Sequence, residues 1–185
     1  MASGCHRIPP VDMAPLFNAG MSYDTVHQLT ALHVTDAEVA QIATARQAGL
    51  SDAGCIALVK LFHDRVGPFD AGDSVASMLG AGMSEQTVIE ISKLDQMGFL
   101  AGELEAIRLV GLPDSAVLEV ARRHSEGKPV LSGASLGRMK NAGIRESTLS
   151  RLIERGVPDS QVDAILSARR RGMSDAKILR NFTGS

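Results

Sequence analysis

Aromatic residues are scarce in this sequence of 185 residues, which has no tryptophan, one tyrosine and five phenylalanines. A core must therefore be filled mainly by Leu, Ile, Val, Ala and Met, and this composition favours helices over strands. The two cysteines, Cys5 and Cys55, are too few for a disulfide framework. No apolar run approaches the roughly 18 residues that a membrane-spanning helix needs. With a net charge of −2, no overall attraction to nucleic acid or anionic lipid is expected.

One short motif recurs along the chain: a glycine, an apolar residue, in most copies Ser or Pro, and then apolar residues at helical spacing. A glycine after a helix can adopt the left-handed conformation without a Cβ clash, and the apolar residue after it packs back on the last turn. Ser, Asp or Pro then suits the start of the next helix. The motif predicts structural caps at Gly20, Gly49, Gly82, Gly111, Gly143, Gly156 and Gly172. A related turn has His33 in place of glycine, followed by a capping-box pattern of Thr35 and Glu38.

The glycines fall into register with a period of 62 and then 61 residues, seen at Gly20, Gly82 and Gly143. A second set with the same spacing is Gly49, Gly111 and Gly172. On this register identical residues coincide in all three copies. They are Thr25, Thr87 and Thr148; Arg46, Arg108 and Arg169; Asp52, Asp114 and Asp175. The pattern predicts an all-α fold of three tandem units of about 62 residues, each with three helices and a connector, stacked as a helical-repeat array.

The predicted organisation is a tail at residues 1–16 and units at residues 17–78, 79–139 and 140–185 of one continuous repeat domain. In the first unit the helices are expected over residues 22–32, 36–48 and 51–65. The connectors, at residues 66–77 and 125–138, are each expected to end in a further short helix. The second unit departs in its middle, where the glycine-containing segment 98–102 replaces the expected turn.

The repeated arginines precede the capping glycines by three residues, in the last turn of a helix, and the repeated aspartates follow six residues later. A cation there meets the free carbonyls and the negative end of the helix dipole. We interpret each Arg–Asp pair as a structural clamp across its turn. The alternative is a ladder of repeated ligand contacts on one face.

The motifs of common catalytic and metal sites are missing from the sequence, including the P-loop, the nucleophile elbow and zinc-ligand spacing. His63 and His124 occupy similar connector starts without further ligands at metal spacing. Cys55 aligns with Val117 and Ile178, which predicts a buried apolar role. We therefore expect a protein that is not an enzyme and that holds no cofactor or metal.

The charge is unevenly distributed along the chain. Residues 138–185 contain ten Lys or Arg and five Asp or Glu, whereas residues 1–137 contain nine and sixteen. We expect a non-catalytic binding or scaffold protein that acts through protein–protein contacts, with self-association possible. Its candidate partner surface is Arg151, Arg155, Arg170 and Arg171. One alternative is a nucleic-acid-binding helical protein that uses the basic third unit.

The N-terminus leaves a second alternative open. Residues 2–5, Ala-Ser-Gly-Cys, resemble a bacterial lipobox, in which Cys5 would be lipidated. The charged and apolar segments that should precede a lipobox are missing within this sequence, so a signal peptide would have to lie upstream of Met1. Cytoplasmic localisation is the expectation, and the alternative is an extracytoplasmic lipoprotein subunit of a larger assembly, anchored through Cys5.

Overall fold

The computed structural model of the protein describes residues 11–94 and 97–182. More than half of these residues are helical, and no strand occurs among them. The prediction of an all-α fold is confirmed. By its internal contacts the chain divides into two compact units, residues 1–72 and 73–185. The division into three tandem units stays a prediction.

The described part of the first unit contains four helices before the junction at residue 72. Their bounds are Ala14–Asn18 (α1), Tyr23–Ala31 (α2), Asp36–Gln47 (α3) and Asp52–Arg65 (α4). Helix α1 packs against α2 and α3, and α4 packs against the same two helices. Helix α5, Gly72–Gly80, begins at the last residue of this unit.

The described part of the second unit continues with seven more helices and one short 3₁₀ turn. The helices are Glu85–Ser92 (α6), Met97–Leu109 (α7), Asp114–Ser125 (α8), Gly133–Asn141 (α9), Glu146–Glu154 (α10), Val162–Arg170 (α11) and Asp175–Asn181 (α12), with the 3₁₀ turn at Asp159–Gln161. Helix α8 packs against α6, α7 and α10, whereas α9 packs against α7, α10 and α11. Helix α12 packs against α10 and α11.

The turns between helices follow the glycine motif. All seven predicted cap glycines have positive φ, between +68° and +108°. At six of them the glycine N–H donates to the carbonyl three residues back, and the next N–H donates to the carbonyl five residues back. This pair of bonds is the Schellman arrangement, which satisfies the last carbonyls of a helix. The glycine-free turn uses His33 at φ +57°, a left-handed conformation that a non-glycine residue adopts at some cost.

Side chains cap the helix starts that follow these turns. The hydroxyls of Ser22, Ser51 and Ser84 accept the N–H three residues on, which satisfies one otherwise free donor. Thr35 and Glu38 form the predicted capping box at the start of α3. At these turns the sequence signals for the end of one helix and the start of the next agree with the fold.

Each unit has an aliphatic core. In the first, Leu16, Leu29, Ile42 and Leu58 have no exposed surface, and Cys55 is buried among the core residues as its alignment predicts. In the second, the fully buried positions include Leu104, Ile107, Leu112 and Leu152.

The structure corrects one sequence-based expectation. Helix α1 begins at Ala14, inside the range 1–16 assigned to a tail, and Leu16 is completely buried. The segment 98–102, which replaces the expected turn in the second unit, lies within α7, which runs from Met97 to Leu109. The connectors do end in short helices, α5 and α9, as predicted.

Candidate functional site

The repeated Arg–Asp pairs lie at the centre of three similar groups, which we call turn clamps. In the first, Arg46 Nε lies 2.9 Å from Asp52 Oδ1. The other carboxylate oxygen of Asp52 accepts the Thr25 hydroxyl at 2.9 Å and the Ser22 N–H at 3.0 Å. Arg46 also donates to the carbonyl of Gly20 at 3.2 Å. The Arg46–Asp52 ion pair lies at the turn before α4, and the hydrogen bonds of these two side chains join it to the turn before α2.

The other two clamps have the same contacts. Asp114 Oδ2 accepts the Thr87 hydroxyl at 2.9 Å, and Asp175 Oδ2 accepts the Thr148 hydroxyl at 2.9 Å. The Arg–Asp distances are 3.2 Å for Arg108 and 3.1 Å for Arg169. Each of these arginines also donates to a glycine carbonyl, at 3.0 Å to Gly82 and at 2.6 Å to Gly143.

The surroundings of Asp52 hold it in the ionised form. Burial by itself would raise the pKa of this carboxyl, but hydrogen bonds from Ser22 and Thr25 and the charge of Arg46 lower the pKa to about 2. The pKa of Asp114 is also lowered, against the same effect of burial, by Ser84, Thr87 and Arg108. These contacts use both oxygens of each aspartate within the clamp, which favours the structural interpretation over a ladder of ligand contacts.

Glu38 lies at the centre of a separate, buried polar group, and most of its contacts could not be predicted from the sequence. It is 2% exposed, and its Oε1 accepts the Phe69 N–H at 2.8 Å and lies 2.6 Å from His63 Nε2. Burial alone would raise the pKa of Glu38, but the N–H groups of Phe69 and Thr35 and the hydrogen bonds from His63 and Thr35 lower it. The group fixes the segment after α4 onto the start of α3. Its only local sequence signal is the Thr35–Glu38 capping box.

The four arginines of the candidate partner surface are all exposed. Among the described residues none of them forms an ion pair, whereas neighbouring cations do: Arg138 with Asp163, Lys140 with Glu146 and Arg169 with Asp175. Arg155 donates to the carbonyl of Leu179, and Arg170 donates to the carbonyl of Leu166. The charges of these arginines therefore remain available to a partner.

These arginines form two pairs rather than one cluster. Arg170 and Arg171 end α11, and the adjacent Arg169 donates to Gly143, just before α10 begins. Arg151 and Arg155 belong to the last turn and the C-cap of α10. The two pairs therefore lie towards opposite ends of α10.

An open cleft of about 390 Å³ lies in the second unit. It is lined by Leu100, Glu103, Val120, His124, Val130, Ser132 and Asp159. Glu103 accepts the Gly133 N–H, and Asp159 Oδ1 accepts the Ser132 N–H at 2.9 Å. Because both carboxylates hold the start of α9, this arrangement explains their position without a ligand.

We also searched the described residues for metal sites and for membrane-spanning helices. No three His, Cys, Asp or Glu side chains in these residues are placed to hold a metal ion. None of the described helices combines the length and the apolar character needed to cross a membrane. Cys5, the possible lipidation site, lies outside the described residues.

A comparison with models of known protein families finds no match, and a comparison with curated proteins finds no similar sequence.

Proposed function

We propose that the protein is a non-catalytic helical-repeat protein that binds an acidic partner protein through its C-terminal segment. The observation that carries this proposal is the set of four exposed arginines without ion pairs, Arg151, Arg155, Arg170 and Arg171. Exposed cations without an ion-pair partner contribute little to folding but can steer and orient an acidic surface.

The repeat part of the proposal is that the twelve described helices form three sets of four: α1–α4, α5–α8 and α9–α12. Three observations support it. The glycine register of 62 and 61 residues relates the sets, the helices follow in the same order, and one turn clamp occurs in each set. Stacked helical repeats commonly serve as binding surfaces rather than as catalysts.

The proposal is tested by reversing two charges, with the variant Arg170→Glu/Arg171→Glu. Wild-type and variant protein are immobilised, and the proteins retained from native cells are quantified at about 0.01 M and about 0.15 M salt, where the Debye length falls from about 30 Å to about 8 Å. We expect an acidic protein that binds the wild type, binds less at the higher salt, and is lost from the variant. The matched control is Arg122→Glu/Lys128→Glu, which changes the net charge equally at exposed positions outside this segment.

Equal retention by the reversed variant and the control would contradict the proposal. Nuclease treatment separates the second candidate, nucleic-acid binding, which the same unpaired arginines favour. A nucleic-acid binder should shift duplex or single-stranded probes in gels and lose affinity steeply as salt rises. It should also lose its co-purifying proteins after nuclease treatment.

A further inference from the structure

The contact between α9–α10 and α7–α8 shows how one four-helix set packs on the set before it. Lys140 Nζ donates to the Val110 carbonyl and lies 2.9 Å from Glu146 Oε1. A Cβ at Gly111 would lie only 2.7 Å from Glu146 Oε1, so this Lys–Glu pair covers the Val110–Gly111 turn. The docking element is thus a side-chain pair, and its receptor is the turn after α7.

The first set presents an uncovered version of the docking element. In the 62- and 61-residue register, Phe17 corresponds to Lys140 and Tyr23 corresponds to Glu146. The two rings stack with centroids 6.4 Å apart and are 44% and 74% exposed. Nearby, Thr30 is exposed, whereas its counterpart Ile153 on α10 is 2% exposed. We call this surface of α1 and α2 the front face.

The third set presents an uncovered version of the receptor. Arg171–Gly172 corresponds to Val110–Gly111 in the register. Lys177 and Asn181 are exposed where their counterparts Ala116 and Val120 are buried. We call this surface of α11 and α12 the end face.

The two faces carry opposite charge. The front face carries one acidic side chain, the exposed Asp24, and residues 14–31 of α1 and α2 contain no Lys or Arg. The end face carries Arg170, Arg171 and Lys177. Docking in the manner of Lys140 and Glu146 would place the Phe17–Tyr23 rings over Arg171. Arginine on an aromatic face is a favourable contact, and Asp24 next to Tyr23 adds an opposite charge.

We propose that the partner of the end face is the front face of a second copy of this chain, so that copies associate head to tail. This inference rests on the proposed repeat organisation and gives the proposed acidic partner an identity. Because Lys177 and Asn181 stand where apolar residues would seal the contact, the association is electrostatic, weak and sensitive to salt.

Two variants that each block one face test the proposal in purified protein. The end-blocked variant is Arg170→Glu/Arg171→Glu, and the front-blocked variant is Tyr23→Lys/Thr30→Lys, which sets cations against the arginines at two exposed positions of the front face. Sedimentation velocity at about 0.01 M salt should show oligomers for the wild type, with about tenfold or greater weakening at about 0.15 M salt. Each variant alone should be monomeric, with an unchanged helical circular dichroism spectrum.

The mixture of the two variants is the decisive sample, because one intact front face then meets one intact end face. It should form heterodimers and nothing larger. A wild type that is monomeric at low salt, variants that still self-associate, or a mixture that stays monomeric would each overturn the proposal. Since only purified protein is used, failure here leaves the binding of a different acidic protein to be decided by the capture experiment described above.

Discussion

At the scale of single residues, the Asp52 carboxylate offers a test of the first turn clamp. Its pKa of about 2 in the folded protein lies below the ordinary value near 3.8. Ionised Asp52 therefore stabilises the fold above about pH 4, and this contribution is lost as the pH falls towards 2. We expect Asp52→Asn to lower the free energy of unfolding by about 1–2 kcal/mol at pH 6 and by less at pH 3.

Urea unfolding at the two pH values measures this difference. The control is Asp64→Asn, which changes an exposed aspartate of α4 outside the clamp and should have little effect at either pH. An equal loss for Asp52→Asn at pH 3 and pH 6 would show that the carboxylate charge does not contribute.

The clamp also shows where residue-level prediction stops. The Arg46–Asp52 pair could be predicted because six residues and one turn separate its members. The bonds from Ser22 and Thr25 to Asp52 could not, since these residues lie 30 and 27 positions away and meet only after the helices pack. The same holds for the bond from Phe69 to Glu38, which spans 31 positions.

At the scale of helices, substitutions at two cap glycines can distinguish the energetic cost of a left-handed backbone from the cost of a steric clash. Gly111 and Gly172 both have positive φ, but only Gly111 has atoms that a Cβ would meet. Gly172→Val should destabilise by about 1–2 kcal/mol because the left-handed conformation is unfavourable for L-residues. Gly111→Val should cost more, because Glu146 and Lys140 must also move.

Thermal and urea unfolding of both variants measure these costs. Gly102→Ala is the matched control: this glycine lies inside α7, with open space around its Cα and no positive φ. It should stabilise by up to about 1 kcal/mol, because alanine favours a helix. Equal effects at Gly111 and Gly172 would contradict the role given to the covering Lys140–Glu146 pair.

Helix bounds could be predicted well wherever the capping signals are local. The predicted range 51–65 compares with α4 at Asp52–Arg65, and 36–48 compares with α3 at Asp36–Gln47. No structure was assigned to residues 98–102, where a segment with two glycines replaces the turn expected in the second unit. Glycine costs only about 1 kcal/mol in a helix interior. The burial of Leu100, Leu104 and Ile107 along α7 outweighs that cost.

At the scale of the whole molecule, the uneven charge corresponds to position within the proposed repeat. Arg171, Lys177 and Asn181 replace Val110, Ala116 and Val120, residues of the face on which the next set packs. In the proposed repeat, basic residues of the last segment therefore lie at positions that are apolar in the second set, which the charge count alone could not reveal.

This explanation predicts the behaviour of a chain whose end face is restored to the apolar pattern, Arg171→Val/Lys177→Ala/Asn181→Val. Apolar contact would replace charge as the driving force, so self-association should become tighter and lose most of its dependence on salt. A contact between two different faces leaves one free face at each end of a dimer, so assemblies larger than a dimer should form as concentration rises. Sedimentation velocity at about 0.01 M and about 0.15 M salt measures both effects. The matched control, Arg171→Gln/Lys177→Gln, removes the same two charges without adding apolar surface and should be less associated than the wild type. If the apolar variant keeps its helical spectrum but stays monomeric, the end face of α11 and α12 does not correspond to the packing face of α7 and α8.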